Sequence, residues 1–104
     1  MAIKERWQEL LTGKQKRYLR SLAVNMVPIL QVGKSGISEN LVRQLDEALA
    51  ARELIKVRVL PQCSGEAKDV AAVLSEQTGS ELVQVIGRNA VIYRQGEDPE
   101  ITLP

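Results

Sequence analysis

The four-residue segment Gly33-Lys34-Ser35-Gly36 combines the residue types that a phosphate-binding turn requires. Glycine adopts backbone conformations closed to other residues and, because it lacks a Cβ, lets the main chain approach a ligand. Lys34 supplies a positive charge and Ser35 a hydroxyl. The helix predicted to start at Ser38 would point free N–H groups and a positive dipole end toward the same place. The segment therefore predicts an anion site, although a tight strand-to-helix turn that needs two glycines explains the same residues.

The spacing of these glycines separates the segment from a nucleotide-binding P-loop, because the pattern G-x-x-x-x-G-K-[ST] does not occur in the chain. A G-x-x-G loop clamps nucleic-acid backbone in KH modules. Here the loop follows a predicted first helix whose basic residues are Lys14, Lys16, Arg17 and Arg20. At 100° per residue, Lys16, Arg17 and Arg20 fall opposite the apolar stripe of that helix. Lys14 lies near them at its N-terminal end. The predicted stripe consists of Leu19, Leu22, Ala23 and Met26. The helix and the loop together favour a polynucleotide ligand.

Positive charge is concentrated in the first third of the chain. Residues 1–36 contain seven basic and two acidic residues, a balance of +5, whereas residues 37–104 contain seven basic and eleven acidic residues, a balance of −4. Such a polarised distribution is typical of a protein that turns one surface toward a polyanion, but a solvated helix face produces it too. Lys56 and Arg58, on one side of a predicted strand, either extend a binding surface or simply solvate that strand.

The chain lacks the groups on which most catalysis depends. It contains no histidine, the most common general base and metal ligand. Its single cysteine, Cys63, cannot form an intrachain disulfide, and its position after a strand predicts a partly buried structural thiol. The carboxylates of the predicted second helix are expected on its surface, without an isolated pair suited to acid–base work; they are Glu39, Asp46, Glu47 and Glu53. The sequence therefore predicts a non-enzyme with no catalytic residues, metal site, cofactor or small-molecule substrate.

Hydrophobic periodicity divides the chain into alternating helices and strands. Apolar residues at helical spacing predict helices over about residues 13–26, from Ser38 onward and over about residues 66–78. Thr12 and Gln15 match a capping box for the first helix, Ser38 is a cap for the second, and Gly79 is placed to end the third. Short alternating or β-branched runs predict strands over residues 29–32, 54–60, 82–86 and 90–94. The last two strands form a hairpin. The order αβαβαββ indicates a compact two-layer α/β sandwich, in which helices pack on a mixed sheet of about four strands.

Local pattern separates a central domain from two ends. Residues 1–10 are predicted as an N-terminal extension, residues 11–95 as one domain and residues 96–104 as an exposed C-terminal tail. The first residues carry charges without a continuous apolar run, so we expect neither a signal peptide nor a membrane helix. Together with the single cysteine, this pattern predicts a soluble cytoplasmic protein that does not bind membranes.

Five runs of the sequence carry a family pattern: Leu11 to Arg20, Val32 to Gly36, Glu47 to Val57, Glu81 to Arg88 and Val91 to Arg94. With these runs, the chain resembles the YhbY-like, stand-alone CRM domain, whose name stands for chloroplast RNA splicing and ribosome maturation. The resemblance spans residues 11 to 94, with the G-x-x-G loop in the expected place. It implies a fold similar to the C-terminal domain of bacterial translation initiation factor three.

The resemblance also implies a function. RNA binding is expected through the basic first helix and the G-x-x-G loop, so that the expected site residues are Lys14, Lys16, Arg17, Arg20, Gly33, Lys34, Ser35 and Gly36. Bacterial members resemble assembly factors that associate with precursors of the large ribosomal subunit, while plant relatives promote group II intron splicing. A free-standing domain favours the bacterial role, with ribosomal RNA as the partner. An adaptor that docks an acidic protein on the basic helix remains the alternative, and the oligomeric state is not predicted.

Overall fold

The structure, a computed structural model, describes residues 11–104. The predicted N-terminal extension, which includes Trp7, lies outside the described residues. The described chain forms α1 (Gly13–Ala23), β1 (Leu30–Val32), α2 (Glu39–Arg52), β2 (Leu54–Val59), α3 (Ala67–Thr78), β3 (Glu81–Ile86) and β4 (Asn89–Tyr93). The predicted order αβαβαββ is confirmed. The first helix ends three residues earlier than predicted, at Ala23 rather than Met26, ahead of Pro28.

Local sequence signals account for the ends of the helices. At the start of α1, the Thr12 hydroxyl accepts a hydrogen bond from the Gln15 N–H at 3.1 Å, and the Gln15 side chain accepts one from the Thr12 N–H at 3.0 Å. This reciprocal pair is the predicted capping box. Ser38 caps α2 by accepting from the Leu41 N–H at 3.1 Å. Gly79 ends α3 in the left-handed conformation, with φ of 62°.

The sheet is mixed, with strand order β1-β2-β4-β3. β1 pairs with β2 in parallel, whereas the other two pairings are antiparallel. The register places Ile55 beside Ile92 and Leu54 beside Tyr93. Because side chains alternate across a strand, these two pairs lie on opposite faces of the sheet.

Each face of the sheet has its own core. On the first face, α2 and α3 pack against a cluster that includes Leu45, Leu49, Ile55 and Ile92, all fully buried. On the second face, α1 packs through Leu19 and Ala23 on a smaller cluster of Leu54, Val83, Val91 and Tyr93. The predicted two-layer sandwich therefore describes the sheet with α2 and α3, and α1 adds a partial third layer. The sequence predicted each helix's apolar stripe, but not the face on which it packs.

The second face is only half covered, because α1 has 11 residues and reaches roughly 16 Å along its axis. Register and alternation place six further residues on this face beyond α1. We call this set the open face; it consists of Gln31, Lys56, Arg58, Gln84, Ile86 and Asn89. All six residues are exposed or half-buried.

A buried carboxylate ties the C-terminal residues to the domain. Glu53, 4% exposed, is the single residue between α2 and β2, and it has a positive φ of 66°. Its carboxylate accepts backbone N–H hydrogen bonds from Gly96, Glu100 and Ile101, at 2.6, 3.0 and 3.0 Å. Ile101 and Leu103 pack against the core of the second face. Two predictions change as a result: Glu53 is not a surface carboxylate, and the predicted tail is anchored although most of its side chains are exposed.

Candidate nucleic-acid interface

The segment Gly33-Lys34-Ser35-Gly36, here called the GKSG turn, directly follows edge strand β1. The Gly36 N–H donates to the Gly33 carbonyl at 3.0 Å. Gly36 has a φ of +70°, which residues with a side chain rarely adopt. Gly33 lies outside the positive-φ region, and a Cβ placed there would be 3.8 Å from Leu60 Cδ1, an ordinary contact. The fold therefore requires glycine at position 36 but not at position 33. The hypothesis of a tight turn that needs two glycines therefore explains Gly36 but not Gly33.

The groups beside the turn favour an anion only in part. Lys34 and Ser35 are both exposed. At the start of α2, however, Ser38 already occupies the Leu41 N–H, and Glu39 adds a negative charge in the first helical turn. This negative charge partly neutralises the positive end of the helix dipole, which would otherwise attract a phosphate. The attraction of the GKSG turn for phosphate thus depends on Lys34 and on cations from other elements.

The four cations of α1 are arranged differently from the sequence prediction. The buried stripe of α1 is formed by Leu19 and Ala23, while Leu22, predicted to belong to it, is 39% exposed. This rotation brings Lys16 and Arg20 to the edge of the stripe, where both are half-buried, instead of opposite it. Lys14 and Arg17 remain exposed as predicted. The basic side of α1 therefore begins where the helix meets the sheet.

Lys56 and Arg58 of the open face lie on the same side of the sheet as α1. Arg20 and Lys56 line one cavity at the junction of helix and sheet. Arg58 lies roughly 7 Å beyond Lys56 along β2, and its register partner on β1 is Gln31. Two residues after Gln31, the chain enters the GKSG turn at Gly33. The basic residues of α1 and of β2 thus lie on one side of the sheet and extend from α1 toward β1, the strand that precedes the GKSG turn.

No ion pair within residues 11–104 neutralises these basic residues of α1 and β2. The ion pair recorded there joins Arg94 to Asp46 at 2.6 Å, and Arg94 also donates to the Thr78 carbonyl at 2.9 Å. Arg88 donates to the carbonyls of Val59 and Leu60, at 2.6 and 2.9 Å. Arg88 and Arg94 therefore hold the fold together, whereas no acidic group of the described chain pairs with the cations of α1 or of the open face.

The sequence could not distinguish these two groups of cations. Alternation along β2 predicts that Lys56 and Arg58 share a face, but solvation of the strand explains that pattern as well as a binding surface does. Which helix packs beside that face is decided by tertiary contacts with β3 and β4. The same contacts determine that Arg88 and Arg94 already donate hydrogen bonds to other groups of the domain.

Other chemistry has little support in the described part of the chain. Residues 11–104 contain no group of three or more acidic or cysteine side chains arranged to hold a metal ion. Cys63 is buried in the core of the first face, and its thiol donates to the Ser64 carbonyl at 3.4 Å. Among these residues, no helix has both the length and the apolar character needed to cross a membrane.

The fold and its basic surface define a small α/β domain suited to a polyanionic ligand. Comparison with known proteins identifies the family: residues 11–94 match the CRS1 / YhbY (CRM) domain, and the chain belongs to that family. It is 51% identical over 96 residues to "Probable RNA-binding protein YqeI" of Bacillus subtilis, a match that covers 91% of this chain and 100% of the relative. It is 33% identical over 94 residues to an "RNA-binding protein" of Haemophilus influenzae, covering 90% of this chain and 95% of the relative.

A solved structure agrees with this assignment. The solution structure of a hypothetical protein from Staphylococcus aureus superimposes with a TM-score of 0.78 at 58% identity, and the match covers 91% of this chain and 100% of that chain. The family resemblance seen in the sequence and the predicted α/β fold with a mixed four-stranded sheet are both confirmed.

Proposed function

We propose that the protein binds ribosomal RNA through the GKSG turn and the basic side of α1, and that it acts in the bacterial cytoplasm as an assembly factor for the large ribosomal subunit. The observation that carries the proposal is the set of cations without an acidic partner among the described residues: Lys14, Lys16, Arg17, Arg20 and Lys34. The names of the relatives, which describe RNA-binding proteins, support the choice of RNA as the ligand.

Physical reasoning connects these cations to a phosphate backbone. Lysine and arginine that neutralise phosphates release condensed counterions, which supplies most of the sequence-independent binding free energy. Cations that already form ion pairs would have to break them first, and these five form none with any group among residues 11–104. Gly33 adds a stretch of main chain that could approach a phosphate closely, because no Cβ stands in the way.

The role of the turn is tested by the double substitution Lys34→Asp/Ser35→Asp. Two carboxylates would repel phosphate at a place where the fold tolerates them, because both side chains are exposed. We expect affinity for fragments of large-subunit ribosomal RNA to fall by at least about tenfold at moderate salt. The control is Lys68→Asp/Ala72→Asp on α3, which changes the charge equally at exposed positions on the other side of the sheet. Equal affinities for the two variants would refute the role of the turn.

The RNA and adaptor hypotheses are separated in cell extracts. If RNA is the ligand, crosslinking followed by sequencing should recover large-subunit ribosomal RNA. The protein should also co-sediment with precursors of that subunit and be released by ribonuclease. An acidic protein partner would instead remain bound after ribonuclease treatment, and this outcome would favour the adaptor.

A further inference from the structure

A cavity of about 220 Å³ lies between the C-terminal end of α1 and the open face. Arg20 and Val24 line it from the helix side, and Lys56, Ile86 and Asn89 line it from the sheet. The residues assigned to backbone binding include only Arg20 from this set. The cavity is smaller than the roughly 300–1,000 Å³ of sites that enclose drug-sized molecules, so it suits one flat ring better than a larger ligand.

The rim of the cavity is apolar and accessible. Val24 is 71% exposed and Ile86 is 63% exposed, although both are β-branched residues that usually pack inside a protein. Ile86 ends β3 on the face that α1 leaves uncovered. One of these apolar side chains comes from the end of the helix and the other from the sheet, so both are available to contact a ring placed in the cavity.

One residue that lines the cavity, Asn89, carries an unsatisfied polar group. Asn89 Oδ1 is buried, and no group among residues 11–104 donates a hydrogen bond to it. A buried carbonyl without a donor is costly, about 1–3 kcal/mol, unless a ligand or water supplies the missing bond. The Asn89 amide offers one acceptor and two donors, which match the mixed donors and acceptors on the edge of a nucleobase.

Positive charge surrounds this polar group. Arg20 and Lys56 line the cavity, and Arg58 follows on the same face next to Asn89 in the register. Within the described residues, none of the three forms an ion pair. A base in the cavity would therefore leave its own phosphate near these three cations.

We propose that this cavity receives one unpaired base of the RNA. The base contacts Val24 and Ile86, its edge bonds to Asn89, and Arg20, Lys56 and Arg58 hold the adjoining phosphates. This inference rests on the proposed function and adds a preference for unpaired nucleotides to a site that otherwise grips backbone. An acidic peptide fits less well, because its carboxylates need only the cations and make no use of the apolar side chains of Val24 and Ile86. A second copy of the chain, paired about a twofold axis, would bring these cations face to face.

The test compares two RNAs of equal phosphate number, a hairpin with an unpaired loop and a blunt duplex. The variants are Ile86→Ser and Asn89→Ala, which change no charge. The control is Val73→Ser, an exposed apolar residue on α3. We expect the wild-type protein and the control to prefer the hairpin by roughly fivefold or more. Both cavity variants should lose that preference while keeping duplex affinity within about twofold.

A structural readout accompanies the affinities. In ¹⁵N-labelled wild-type protein, the hairpin should shift the side-chain amide signals of Asn89, and the methyl groups of Val24 and Ile86 should show contacts to base protons. The duplex should produce neither effect. An unchanged Asn89 side-chain signal in the presence of bound hairpin would overturn the proposal.

The outcomes distinguish this inference from the proposed function. If the wild-type protein binds neither RNA, both fail. If it binds both RNAs equally, or if the cavity variants retain the preference, only the cavity proposal fails. Lys34→Asp/Ser35→Asp should weaken binding to both RNAs and leave the preference intact. A change of oligomeric state caused by Ile86→Ser would identify the open face as a contact between copies and would also overturn the cavity proposal.

Discussion

The carboxylate of Glu53 accepts a hydrogen bond from the Gly96 N–H at 2.6 Å, which joins two residues 43 positions apart in sequence. Glu100 and Ile101 donate to the other oxygen of the same carboxylate. Glu53 holds this position although its φ of 66° is unfavourable for a residue with a side chain, at a cost of about 1 kcal/mol or more. Its three hydrogen bonds offset that strain, so a single residue both reverses the chain after α2 and anchors the C-terminal segment.

The first prediction concerns the stability that this carboxylate provides. Glu53→Gln keeps the shape of the side chain but removes its charge and replaces one acceptor oxygen with a donor. We expect the free energy of unfolding to fall by about 2 kcal/mol, because hydrogen bonds to buried charged groups are among the stronger ones. Urea denaturation at neutral pH measures the change. The control, Glu47→Gln at an exposed site on the same helix, should alter stability by less than about 0.5 kcal/mol.

The second prediction is a pH dependence. Burial by itself raises the pKa of Glu53, but the backbone hydrogen bonds from Gly96, Ile101 and Glu100 outweigh it and hold the pKa below the ordinary value of 4.5. A carboxyl group with a lowered pKa stabilises the fold fully above pH 4.5, and this contribution is lost as pH falls through the folded-state pKa. Wild-type stability should therefore approach that of Glu53→Gln in acid. A gap between the two proteins that stays constant from neutral pH to strongly acidic pH would contradict this account.

The third prediction separates the two glycines of the GKSG turn. Gly36→Ala should destabilise the protein by about 1 kcal/mol or more, because its φ of +70° is strained for alanine. Gly33→Ala should leave stability unchanged or raise it slightly, since space for a Cβ exists and the unfolded chain loses entropy. If main chain at Gly33 contacts phosphate, the same substitution should still weaken RNA binding several-fold. Full RNA affinity in Gly33→Ala would exclude a close backbone contact there.

The fourth prediction concerns the salt dependence of RNA binding. Replacing any one of five cations with glutamine should flatten the plot of log affinity against log salt by about one unit. These cations are Lys14, Lys16, Arg17, Arg20 and Lys34. Sequence preference should change little, because phosphate contacts carry no base information. Lys68→Gln on α3 is the control and should keep the wild-type slope. Wild-type slopes in all five variants would show that phosphate binds elsewhere.

The fifth prediction is that Cys63 contributes packing only. Its thiol is buried in the core of the first face, so Cys63→Ala should cost about 1 kcal/mol of stability. RNA affinity should stay at the wild-type value. A folded Cys63→Ala protein with impaired RNA binding would instead point to a functional thiol.

The sequence alone determined the features that depend on neighbours along the chain. The capping box at Thr12 and Gln15, the Ser38 cap and the glycine at the end of α3 are local hydrogen-bonding signals, and each one appears in the structure. The order of elements followed from hydrophobic periodicity, which reflects how much of each segment is buried. Local chemistry identified the GKSG turn as an anion site, and the family resemblance added RNA as the ligand expected there.

Tertiary structure decided every feature that depends on which segments meet. Leu22 fits the apolar spacing of α1 but is left partly exposed, because the sheet surface centres the contact on Leu19 and Ala23. Glu53 resembles the exposed carboxylates around it until strands and tail enclose it. Lys56 and Arg20 come to line one cavity only when the strands pair in register. The same pairing brings Arg88 to the Val59 carbonyl, to which it donates. Periodicity shows that a residue is buried or shares a face, but its partner is chosen by contacts between segments far apart in sequence, and no local pattern encodes them.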